Sequence, residues 1–120
     1  MTRTIRDVLV NGRNELDVAN AIISWAKTRG GYVVGGSTQY GQGTHLVVQM
    51  GVGVFQAKRI FDVTLQSMPN GTLVHTEGYA QGLGQEMDLR PDALNAALPR
   101  RDGWREINDL WNWLAQLSSQ

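Results

Sequence analysis

Two periods of apolar residues run along this chain. Thr4 to Val10 predicts a short strand carrying Ile5, Val8 and Val10, and the turn dipeptide Asn11-Gly12 ends it. The period then changes. Leu16, Ala19, Ile22, Ile23 and Ala26 recur at helical spacing, widened by Val18 and Trp25, with Asp17, Asn20, Ser24 and Lys27 opposite. Asn14 is a suitable N-cap, Glu15 and Asp17 suit the positive end of the helix dipole, and Gly30 can close the helix in a left-handed conformation.

Strand patterns follow. Tyr32 to Gly36 predicts a short strand, and Ser37 to Gly43 a turn or irregular edge. Thr44 to Met50 alternates, with Leu46, Val48 and Met50 in one phase. Val54 to Ser67 predicts one long strand in which Phe55, Ala57, Phe61, Val63 and Leu65 share a face. Pro69-Asn70-Gly71 turns the chain into a strand over Thr72 to Ala80. Gln81 to Asp88 reads as a Gly-rich connection. Pro91 can open a short helix to Leu98, Pro99 stops it, and Asp102 caps the last helix. There Trp104, Ile107, Leu110, Trp111, Leu114 and Leu117 fall within about 140° of one another at about 100° per residue, with Trp113 at the margin.

The pattern is strand, helix, four strands, helix. It predicts an α+β class: a curved antiparallel sheet with helices packed on one face, in a single domain over residues 1–120. This order of elements resembles one half of the TATA-box-binding protein, and also a reduced START-like helix-grip domain. The resemblance implies a sheet with a concave face. Its TATA-binding form implies nucleic acid as a partner.

Charge narrows the partners. Eleven basic and eleven acidic residues give a formal net charge of zero, divided seven and seven over residues 1–89 and four and four over 90–120. Non-specific DNA binding draws on a cationic surplus that this chain lacks, so nucleic acid ranks below other partners. The absence of cysteine excludes disulfides, thiolate metal sites and thiol catalysis. No segment has the apolar length of a membrane span, and Arg3, Arg6 and Asp7 interrupt the first ten residues. A cytoplasmic location is the expectation.

Arg59 is the main anomaly, because it shares the apolar phase of Phe55 and Phe61. A guanidinium there needs an anionic or carbonyl partner. It either faces a ligand, or a β-bulge at Lys58-Arg59 turns it away and brings Ile60 inward. A strand this long favours the bulge. The ligand form places Arg59, Phe61, Phe55, Trp104, Trp111 and Tyr79 around a small apolar or amphipathic molecule held between sheet and final helix. Trp113, off the main stripe, would mark an interface with a protein partner or with a second copy in a homodimer.

His45, His75 and Glu77 raise the question of zinc, but the H-x-E spacing fixes no third ligand. If Val74, Thr76, Gly78 and Ala80 point inward, His75 and Glu77 face water. The pairs Gly41/Gly43, Gly51/Gly53 and Gly82/Gly84 lack the context of a nucleotide loop and read as turns. No catalytic constellation, metal site or cofactor is assigned. The leading expectation is a non-catalytic binding or interaction domain. The alternatives are a nucleic-acid-binding domain and a small hydrolase or isomerase using His45, His75 or Asp62.

Overall fold

In a computed structural model, which describes residues 3–39, 43–51, 58–82, 85–90 and 98–118, the alternating segments pair into one six-stranded antiparallel sheet. The strands are β1 (Thr4–Asn11), β2 (Tyr32–Gln39), β3 (Gly43–Met50), β4 (Lys58–Met68), β5 (Gly71–Gly82) and β6 (Gln85–Met87). Their spatial order is β1-β5-β4-β3-β2, and β6 extends the β1 side by pairing with the end of β5. Among the described residues the sheet is not closed into a barrel.

Two helices cover one face: α1 (Glu15–Thr28) and α2 (Leu98–Ser118). Asn14 caps α1, accepting a 2.8 Å hydrogen bond from the Asp17 N–H, and Gly30 follows with φ of 77°. Val18, Ile22 and Trp25 from α1, and Ile107, Leu110 and Leu114 from α2, meet Val48, Phe61, Val63, Leu65 and Val74 of the sheet in one core. Gly78 admits this packing: a Cβ there would come within 2.6 Å of Ile107 and 2.8 Å of Leu89.

Several expectations are corrected. The second strand continues past Gly36 to Gln39, its register shifting between Val33 and Gly35. The Gly-rich connection contains β6, so five strands lie between the helices rather than four. Pro99 does not stop a helix. It is the second residue of α2, where its missing N–H would have no partner within the helix. Asp102 is therefore inside the helix, not at its cap, and accepts from Arg105 Nη2 at 2.6 Å. The expected bulge at Lys58-Arg59 is also not found: β4 pairs with both neighbours in unbroken register from Arg59 through Leu65. The expected short helix from Pro91 and the first residues of the long strand lie outside the described residues.

Candidate functional site

Unbroken register fixes which residues share a face. Arg59 lies with Phe61, Val63 and Leu65 on the helix-covered side and is 9% exposed. Its partner comes from α2. Nε and Nη2 donate to the two carboxylate oxygens of Glu106 at 2.8 and 2.9 Å, the geometry in which a planar guanidinium fits a carboxylate best. That hydrogen bond, together with the nearby negative charge, raises the Arg59 pKa above its ordinary value. Gly103, one turn before Glu106, lets the helix approach: a Cβ at this position would lie 3.0 Å from the Arg59 side chain. Ile60 is buried as well, but on the opposite face, between Gln49 and Tyr79.

The sequence-derived ligand set does not gather around one space. Phe61 is fully buried, 6.5 Å from Trp25 between ring centroids. Trp111 is buried, and its Nε1 donates to Thr76 Oγ1 at 2.8 Å; that hydroxyl in turn donates to the Arg6 carbonyl at 2.7 Å. Trp104 meets Trp111 edge-on at 6.2 Å. Tyr79 stands on the other side of the sheet, because its β5 neighbour Gly78 is the residue opposite Phe61. Trp113 is partly buried and packs 6.5 Å from Trp25. Phe55 lies outside the described residues.

The face away from the helices carries the second group of charges. Val74, Thr76, Gly78 and Ala80 are buried, which turns His75, Glu77 and Tyr79 outward. Arg3 lies across this face. Its Nε and Nη2 donate to Glu86 at 3.2 and 3.0 Å, and Nη1 to Asp62 at 3.2 Å and Glu77 at 3.4 Å. The guanidinium sits 4.3 Å from the Tyr79 ring centroid. Hydrogen bonding to Glu86 raises the Arg3 pKa, and partial burial raises that of Tyr79. Asp62 also meets His45 Nε2. His75 stands between Glu77, 2.8 Å from Nε2, and Asp7, 2.5 Å from Nδ1. The hydrogen bond to Glu77 is the main cause of a raised His75 pKa, with Asp7 adding to it against desolvation.

His45, His75 and Asp62 thus share the face away from the helices, each partly exposed. Among the described residues, no group of three or more His, Asp or Glu side chains is placed to hold a metal ion. A shallow depression of about 390 Å³ lies at the far end of β4 from Arg59, between Gly12–Asn14 and the Ser67–Gly71 turn. Sequence reasoning missed Arg3, Asp7 and Glu86. It did not pair Glu106 with Arg59, although a buried Arg59 called for a carboxylate on the facing helix. No helix among the described residues is long and apolar enough to cross a membrane. Comparison with family models, curated proteins and solved structures finds no match for this chain.

Proposed function

We propose that this chain is a non-catalytic interaction domain that meets its partners through the side of the sheet that the helices leave uncovered, or through its edges. The observation that carries this reading is the pairing of Arg59. A cation in an apolar phase would suit the polar end of an amphipathic ligand, but the anion it needs is supplied by Glu106 of the same chain. Phe61, Trp111 and Leu114 occupy the space between sheet and helices with the protein's own side chains. The histidines support the same reading, since general acid–base chemistry works best within a site that holds a substrate. The outer network combines Asp7, Asp62, Glu77 and Glu86 with one arginine, a balance that suits a protein surface better than a phosphate backbone.

Native mass spectrometry of the purified protein tests this. The expected masses are those of the bare 13.3 kDa chain or its integer multiples. A small molecule retained by the wild type and lost from Arg59→Met would overturn the reading in favour of a ligand-binding domain.

A further inference from the structure

Two glycines stand inside regular elements, where glycine is unfavourable: Gly78 in β5 and Gly103 in α2. Both make room for one side chain. A Cβ at Gly78 would lie 2.8 Å from Leu89 Cδ1, and a Cβ at Gly103 would collide with Leu89 Cδ2. Sheet and helix thus form a socket with Ile107 and Phe61, and Leu89 fills it, fully buried.

Leu89 belongs to neither element that shapes the socket. Residues 85–90 carry it, along the margin of the sheet. There β6 has only three residues and pairs with the last residues of β5. Arg3 holds Glu86 at 3.0 and 3.2 Å through partly exposed side chains, and the Leu89 N–H donates to Thr4 Oγ1 at 2.9 Å. Met87 is partly buried against the core. The walls are held more firmly. Gly78 is paired on both sides, with Thr4 and Phe61, and Glu106 ties α2 to β4 through Arg59. Segments with short ladders and exposed ties open at a lower free energy than the whole fold.

We propose that the socket is a latent binding site for a compact apolar molecule, with Leu89 as its built-in occupant and residues 85–90 as a strap that lifts to admit the ligand. The lining sets the chemistry. Phe61 and Ile107 present hydrocarbon, and Arg59 contributes its aliphatic stem while its guanidinium stays with Glu106. Among the described residues no buried side-chain nitrogen or oxygen lacks a hydrogen-bond partner, so the socket offers no polar anchor. A ligand gains there by apolar burial and shape alone. Leu89 competes for the same space, so affinity is reduced by the small fraction of molecules with the strap lifted. A bare wild-type mass is therefore expected, and the site is separate from the partner surface proposed above.

Native-state hydrogen exchange and xenon-pressure NMR on the full chain test this. In the wild type the Leu89 amide should exchange at least about tenfold faster than the slowest amides of β4, by an opening that leaves the sheet intact. Arg3→Met removes one tie and leaves the socket walls in place. It should speed Leu89 exchange about fivefold further while changing the β4 amides less. Leu89→Ala removes the isopropyl group, and the variant should stay folded. Xenon should then shift the Gly78 and Gly103 amide resonances, and do so at higher pressure in Arg3→Met, where Leu89 is retained. Leu89 exchanging only with the β4 amides, in wild type and Arg3→Met alike, would make it ordinary core and overturn the proposal. A Leu89→Ala chain that fails to fold, or that xenon leaves unshifted, overturns it as well.

Discussion

Along β4, Phe61, Val63 and Leu65 face the helices and are fully buried, while Asp62 and Thr64 between them face the other way. Each face holds an arginine network, and the two differ in their surroundings. Arg59 is held by both oxygens of Glu106, in a space walled by α2 and Leu89. Arg3 divides its donors among Glu86, Asp62 and Glu77, and each of these four side chains is about one-fifth to one-third exposed. The contrast lies in the cations, the Arg59 side chain being 11% exposed and that of Arg3 27%: removing Glu106 leaves a charge that water scarcely reaches, which is costly. A half-exposed network is screened, and water replaces any member that is lost. The comparison teaches that charge on a sheet does not by itself locate a site. The inner pair holds a helix to the sheet, while the outer network leaves a solvated surface.

The difference should appear first in truncation of the inner face. Phe61→Ala, which removes a ring packed against Trp25, should cost about 3–5 kcal/mol in denaturant unfolding. A smaller loss is expected from Thr76→Val, which keeps the volume but leaves the buried Trp111 Nε1–H without its acceptor, at about 1–3 kcal/mol. If Thr76→Val proved neutral, the inner hydrogen-bond relay would carry no stability.

The smallest effect belongs to the outer face. His75→Gln should cost under about 1 kcal/mol, since His75 and its partners are all partly exposed. Its pH dependence has a definite sign. The folded pKa of His75 is raised above 6.5, chiefly by Glu77 and then by Asp7. The cation therefore adds its full stability below the unfolded value of about 6.5 and loses it as pH rises through the folded pKa. Thermal melts of wild type and His75→Gln should differ at acid pH and converge above that folded value. A gap that widens with rising pH would contradict the bracket drawn around His75.

Much of this fold was legible in the chain because strong periodicity survives tertiary context. The Asn14 cap and Gly30 exit of α1, the inward phase of β4 and the α2 stripe reappear as read. The α1 stripe turns, so that Val18, Ala19, Ile22, Trp25 and Ala26 are buried and Leu16, expected on it, is 70% exposed. Local signals failed where a residue has two uses. Pro99 was read as a stop, yet proline is equally at home in the first turn. Gly82 and Gly84 concealed β6, which has only three residues. The site was less legible because cross-strand register is not written in any one strand. Tyr79 joined Phe61 in the expected ligand set, and only the pairing of Phe61 with Gly78 separates them. Arg59 and Glu106 are 47 positions apart, and their meeting depends on the close approach of α2 at Gly103.

The central claim is that Arg59 is committed to Glu106 rather than to a ligand. A double-mutant cycle measures it most directly, using equilibrium unfolding of Arg59→Met, Glu106→Leu and the double variant. Glu106→Leu should cost about 3–5 kcal/mol by stranding Arg59, Arg59→Met less because the Glu106 side chain is 21% exposed, and the double variant should recover most of the larger loss. Single variants within about 0.5 kcal/mol of wild type, with additive effects, would contradict the account and return Arg59 to the search for a ligand.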